Sequence, residues 1–152
     1  MTISDLTLRR ARMSDAPAIM KIENASFSDA WSEEAVYSAL AGEFYHLYIA
    51  ELAGECCAYA IVRAVSGEAE LLRFAVSKEY RGMGLGNRLA ELLVEAETNA
   101  ETQSIFLEVR ESNTPAIRTY RHAGFEETGK RRGFYQDPAE DAVLMRAETA
   151  KQ

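Results

Sequence analysis

The chain has 152 residues, 47% hydrophobic and 27% charged, with a net charge of −7; that length suits one domain with a sizeable core, expected over residues 1–152, and the acidic balance argues against a nucleic-acid partner. No apolar run approaches a membrane span, and the start "MTISDLTLRRARMSD" lacks the apolar segment of a secretion signal, so a cytoplasmic protein with no membrane partner is expected. The adjacent Cys56 and Cys57 suit neither a metal-type Cys-x-x-Cys pair nor a disulfide framework and read as two small buried thiols in a strand.

"LTLRRA" (6–11) reads as a first strand. Ser14 or Asp15 can cap a helix in which Ala18, Ile19, Ile22 and Ala25 follow helical spacing, with Pro17 tolerated in the first turn. Ser32 can cap a short helix that stops at Gly42. "EFYHLYIAEL" and "ECCAYAIVRA" flank Ala53–Gly54 as a hairpin would. "AELLRFAV" (69–76) is nearly continuous in apolar residues, the pattern of a strand buried on both faces. A glycine-rich segment then leads into a helix with Leu85, Leu89, Leu92, Leu93 and Ala96 on one face. "SIFLEV" (104–109) is a further buried strand, and Asn113 can cap a helix with Pro115 in its first turn and Gly124 just past its end. "FEETGKRR" and "DAVLMRA" close the chain as strands. The order β α α β β β α β α β β predicts an α+β domain, helices packed on a mixed sheet.

The glycine segment "EYRGMGLGNR" (79–88) decides between phosphate-binding loops. A P-loop needs Gly-Lys-Ser/Thr, which is missing, and a dinucleotide fingerprint needs glycine at position 87, where Asn87 stands. What remains is Arg-x-x-Gly-x-Gly, formed by Arg81, Gly84 and Gly86 between a strand and a helix. Missing Cβ atoms let N–H groups converge on an anion, and a helix N-terminus adds a favourable dipole. The plainer alternative is that the glycines only tighten a strand-to-helix turn.

The stretch Val76 to Gly86 resembles the acetyl-CoA pyrophosphate loop of the GCN5-related N-acetyltransferase (GNAT) superfamily. "FLEVRESNTPAIRTYRHAGF" (106–125), "DAWSEEAV" (29–36) and "RRGFYQDPAEDAVLM" (131–145) resemble its RimI-type ribosomal-protein-alanine N-acetyltransferases, and the likeness runs from about Leu6 to Met145. The resemblance implies a mixed, mostly antiparallel sheet of six to seven strands with about four helices. It implies acetyl-CoA held by Arg81, Gly82, Met83, Gly84, Leu85, Gly86, Asn87 and Asn113, with the backbone of Phe74, Ala75 and Val76 along the pantetheine arm. It further implies Glu108 as general base, Tyr120 as the acid that protonates the sulfur, and Trp31 and Tyr135 on the acceptor side, where Arg73, a departure from the pattern, is expected to bear on substrate choice.

Alternation in "SIFLEV" puts Phe106, Glu108 and Arg110 on one face and Ile105, Leu107 and Val109 on the other. A lone Glu there needs a partner or a task; an ion pair is the alternative to a base. Asn113 and Tyr120 are seven residues apart, two helical turns, and could face one bound molecule, or be simply a cap and a core residue. Arg73 interrupts a buried strand, unlike the RimI-type pattern, and Glu108 is one candidate partner for it; Ala30 stands where that pattern often has a proline. His46 and His122 have no neighbouring ligand cluster, so no metal is expected.

An α-amine has a pKa of about 7.7–8.0 against about 10.4 for lysine, so neutralising it takes roughly 3.4 kcal/mol less. That favours a peptide or protein N-terminus; the resemblance implies the N-terminal alanine of a small-subunit ribosomal protein as the acceptor, and the enzyme is expected as a monomer or homodimer. The rivals are an acetyltransferase of the same superfamily for a polyamine, an antibiotic or a lysine, and a non-catalytic coenzyme-A sensor.

Overall fold

The computed structural model describes residues 2–149. Its elements in chain order are β1 (Thr7–Arg10), α1 (Ala16–Ser26), α2 (Glu33–Ala41), β2 (Tyr45–Leu52), β3 (Glu55–Val65), β4 (Glu68–Val76), α3 (Leu85–Asn99), β5 (Ser104–Arg110), α4 (Thr114–His122), β6 (Glu126–Tyr135) and β7 (Glu140–Glu148). The seven strands form one sheet in the order β1-β2-β3-β4-β5-β7-β6. All neighbours are antiparallel except β4 and β5. This is the mixed α+β architecture that the sequence pattern predicts.

Side-chain alternation distributes the helices over both faces. Ile19, Ile22, Val36 and Ala39 of α1 and α2 pack on Leu47, Ile49, Tyr59 and Ile61. On the other face Leu93 and Tyr120, from α3 and α4, pack with Ala60, Val62, Ile105, Leu107, Val143 and Met145. The strand buried on both faces is therefore β3, whose residues Cys57 to Val62 are all buried. In β4, where the sequence suggested continuous burial, only Ala69, Leu71 and Ala75 are buried. The reason is that β4 pairs with β5 only over Glu68–Glu70 and leaves it thereafter.

Local signals act largely as read. The Ser32 hydroxyl accepts from the Ala35 N–H at 3.0 Å, and Asn113 Oδ1 accepts from Ala116 N–H at 3.2 Å, so both helices are side-chain capped. The start of α1 differs. No side chain caps it; Asp15 instead accepts from the Arg12 N–H at 2.7 Å and from both terminal nitrogens of Arg9 at 2.8 and 2.9 Å. Cys57 is buried, which pushes its thiol up to about 11, whereas Cys56 is only half-buried.

Candidate active site

A register change in β4 creates the site. Ile61 of β3 lies opposite Arg73, but Val62 lies opposite Leu71, so Leu72 is the extra residue of a bulge. Before the bulge, Ala69 and Leu71 face α3 and α4. After it, Arg73 and Ala75 lie opposite Ile61 and Tyr59 on the α1–α2 face, and Phe74 packs on the other. One inserted residue reverses which side every later side chain takes. Because β5 has separated by then, the backbone of Phe74, Ala75 and Val76 pairs on the β3 side alone.

On β5, Ile105, Leu107 and Val109 point into the α3–α4 core. Glu108 therefore shares the α1–α2 face with Arg73. Its Oε2 is buried with no hydrogen-bond partner, and Oε1 lies 3.9 Å from an Arg131 terminal nitrogen. Tyr120 stands on the opposite face, edge-on to Phe74 with ring centroids 5.6 Å apart. Burial raises the Tyr120 pKa above that of an ordinary phenol, and the Tyr135 hydroxyl nearby adds to this. Among the described residues no group bonds the Tyr120 hydroxyl. Glu108 and Tyr120 thus flank the opening between β4 and β5 from its two sides.

The glycine loop follows β4 and leads into α3. Gly82 and Gly84 have φ of +79° and +78°, which L side chains rarely adopt. Gly84 is the N-cap of α3 and supplies no capping side chain, leaving the first N–H groups of the helix to an outside acceptor. A Cβ on Gly86 would meet only Thr119 of α4, at an ordinary 3.8 Å. The fold itself thus tolerates a side chain at Gly86. Leu85 is buried in the core, so only its backbone is available; Met83 and Asn87 are exposed. The Arg81 guanidinium is held by the Val76 carbonyl at 3.0 Å and the Ser26 hydroxyl at 3.0 Å.

Arg73 does not pair with Glu108, contrary to one expectation from the sequence. Its Nε lies 3.1 Å from Glu23 Oε2, an ion pair without hydrogen-bond alignment. Its Nη2 donates to the Asp29 carbonyl at 2.8 Å, and its guanidinium lies over the Phe27 ring, 4.4 Å from the centroid. The bulge puts Arg73 on the face shared by Glu108 and α1, but β4 has parted from β5 by then, and α1 supplies the buried carboxylate that Arg73 meets. Trp31 lines an apolar groove with Ala35, Ser38, Ala39 and Tyr45, a groove to which neither Glu108 nor Tyr120 contributes. Tyr135 stacks its ring under the Arg110 guanidinium at 4.5 Å; burial raises its pKa, and the Glu108 charge adds to that.

Residues 16–125 match the acetyltransferase (GNAT) family. The chain belongs to that family. This acetyltransferase is 35% identical over 141 residues to the ribosomal protein bS18-alanine N-acetyltransferase of Escherichia coli (strain K12), covering 91% of this chain and 95% of the relative. It is 30% identical over 153 residues to an N-alpha-acetyltransferase of Sulfurisphaera tokodaii, covering 92% and 91%. The crystal structure of the ribosomal-protein-S18-alanine N-acetyltransferase from Escherichia coli superposes with a TM-score of 0.87 at 34% identity, over 97% of this chain and 96% of that one. The family uses acetyl-CoA as its acetyl donor. The acetyltransferase has features that fit this molecule: an uncapped helix N-terminus behind two left-handed glycines suits a pyrophosphate, and the unpaired side of β4 suits an amide-bearing arm.

Two site residues escaped the sequence reading. Glu23 is fully buried and accepts from Tyr59 Oη and, at 2.9 Å, from the Trp31 N–H. Its signal was present: it falls four residues after Ile19, on the apolar stripe of α1. Arg110 donates to the carbonyls of Gln136 and Pro138, each at 2.9 Å, and pairs with Glu140 at 3.2 Å, bracing the β6–β7 loop. Nothing local in the sequence marks that contact. No helix among the described residues is long and apolar enough to cross a membrane.

Proposed function

We propose that this acetyltransferase modifies the α-amine of a protein N-terminus, with the N-terminal alanine of a ribosomal protein as its first candidate. The observation that carries the mechanism is the placement of Glu108 and Tyr120 on opposite sides of the β4–β5 opening, with one buried Glu108 oxygen lacking a partner. A buried carboxylate oxygen left unbonded is costly unless a donor arrives during function. A bound amine, or a water beside it, is such a donor.

Acetyl-CoA supplies an activated acetyl thioester. Glu108 accepts the proton that the amine loses as its nitrogen bonds to the acetyl carbon, directly or through one water. Tyr120 gives its hydroxyl proton to the sulfur as the carbon–sulfur bond breaks, leaving an amide and a thiol. A phenol, with an ordinary pKa of about 10, holds that proton at neutral pH, and Tyr120 regains one from solvent as Glu108 releases its own. The N–H groups at the start of α3, with Gly82, Gly84, Gly86 and the Asn87 and Met83 backbone, hold the pyrophosphate. Asn113 keeps Oδ1 for its cap and offers its amide N–H₂ as a donor. Arg81 acts as a brace between Val76 and Ser26, presenting its backbone to the loop. Arg73, Trp31 and Tyr135 shape the acceptor side.

The choice of a protein N-terminus is supported by the Escherichia coli and Sulfurisphaera tokodaii relatives and by the lower pKa of an α-amine than of lysine. The test is intact-mass analysis after incubation with acetyl-CoA, an alanine-initiated peptide copying the host ribosomal protein, and spermidine. One acetyl group on the peptide α-amine is the expected product. Acetylated spermidine beside an untouched peptide overturns the acceptor assignment.

A further inference from the structure

The segment Phe27 to Ser32 joins α1 and α2 without regular structure, yet it is attached repeatedly to one pair of side chains. Arg73 reaches it at Asp29, through the carbonyl at 2.8 Å and the carboxylate at 3.6 Å, and at the Phe27 ring. Glu23 reaches it once, at the Trp31 N–H. Glu23 is wholly buried, its other donor is Tyr59, and Arg73 is the cation beside it. A buried carboxylate of this kind is held in place by its partners, since losing one leaves charge unmatched in a dry environment. The bulge at Leu72 puts the Arg73 end of this arrangement on the face that carries Glu108. Its charge also bears on the ionisation of Tyr135 across the same face. Arg110, from the neighbouring strand, braces the opposite loop through the carbonyls of Gln136 and Pro138.

We propose that Glu23 and Arg73 form a buried clamp that fixes the Phe27–Ser32 loop as one wall of the acceptor cleft, so that they govern capture of the acceptor and leave acetyl-CoA binding alone. They are positioning residues: neither needs to touch the reacting atoms. The inference rests on the acceptor entering from the Glu108 face. Among the described residues the hydrogen bonds and ion pair of the Glu23 carboxylate go to Trp31, Tyr59 and Arg73 and none to the glycine loop or α3, while that loop meets α1 at Ser26, through Arg81.

Trp31 is the one tryptophan in the chain, and its backbone N–H donates to Glu23, so its fluorescence reports the loop without any turnover. The variants are Arg73→Met, Arg73→Lys and Glu23→Gln. In Arg73→Met and Glu23→Gln, Trp31 emission shifts to the red and acrylamide quenching increases, while the peptide KM rises roughly tenfold and the acetyl-CoA KM stays within about twofold. Arg73→Lys falls between, since an ammonium keeps the charge but loses the fork that spans Glu23 and Asp29. If Arg73→Met does not fold, Arg73→Lys carries the comparison. Wild-type emission with an unchanged peptide KM overturns the clamp, and so does an equal rise in both KM values. A wild-type enzyme that leaves the peptide untouched overturns the acceptor assignment instead, and the fluorescence readout still decides the clamp.

Discussion

Glu108 and Tyr120 stand on opposite faces of one sheet, Glu108 with an Arg131 terminal nitrogen 3.9 Å away, Tyr120 against Phe74. In the mechanism proposed above, the base and the acid therefore act from opposite sides of the β4–β5 opening. Glu108→Gln preserves shape and removes the proton acceptor; Tyr120→Phe removes one hydroxyl. Each lowers kcat by about a hundredfold or more. Acetyl-CoA binding, followed by calorimetry, is retained in both. A Glu108→Gln enzyme turning over at the parent rate rules out this base.

Substitutions at Gly86 and Gly84 separate the proposed ligand requirement from a backbone one. Gly86 has an ordinary helical φ and room for a methyl group. Gly86→Ala therefore stabilises the fold by about 0.5 kcal/mol through helix propensity, while its new Cβ weakens acetyl-CoA binding. Gly84→Ala is destabilising by about 1–2 kcal/mol, because its φ of +78° is left-handed. Thermal melts and acetyl-CoA titrations give the two readouts; a Gly86→Ala enzyme with parental affinity removes Gly86 from the cofactor loop.

Asn113 combines a cap with a proposed cofactor contact, and two substitutions divide them. Asn113→Ala loses the cap and costs about 1 kcal/mol of stability. Asn113→Ser keeps a hydroxyl to accept from Ala116 but loses the amide donor. If the amide binds the cofactor, Asn113→Ser melts near the wild type yet raises the acetyl-CoA KM. A normal KM in the serine variant confines Asn113 to capping.

Glu97 sets an acid limit on stability. Burial opposes its ionisation, but hydrogen bonds from His46 at 2.8 Å, from Tyr48, and from Thr102 at 2.8 Å outweigh it, so its folded pKa lies below the ordinary 4.5. A depressed carboxylate contributes stability that is fully present above the unfolded pKa and disappears as pH falls through the folded one. The melting temperature should therefore hold down to about pH 4.5 and decline below it. Glu97→Gln should melt lower at neutral pH and show a shallower acid decline; an equally steep decline places the acid sensitivity elsewhere, with Asp15 and its Arg9 partner the next candidate.

Much of this site is written locally. The glycines at 82, 84 and 86, the capping Asn113, and the alternation that turns Glu108 away from Leu107 each depend on a few neighbouring residues. Tyr120 reads from sequence as a core residue on a helix face, and it is one, buried against Phe74 and Phe125. The Arg73 partner was the misreading. Adjacent strands in sequence pattern suggested Glu108, but the cation found Glu23, fifty residues away in the chain. Glu23 and Glu97 both occupy apolar-stripe positions of their helices, a signal that a buried charge is present without saying what it meets.

The sequence by itself determined the order and type of the elements, the two capped helices, the left-handed glycine turn and the alternation along β5, because each follows from propensity, spacing or a residue's own dihedral limits. Only the tertiary structure decided the bulge at Leu72, the parting of β4 from β5 after Glu70, and the pairing of Arg73 with Glu23. Register is a relation between strands, and the extra residue that flips Arg73 to the Glu108 face leaves no mark in the pattern of β4 alone.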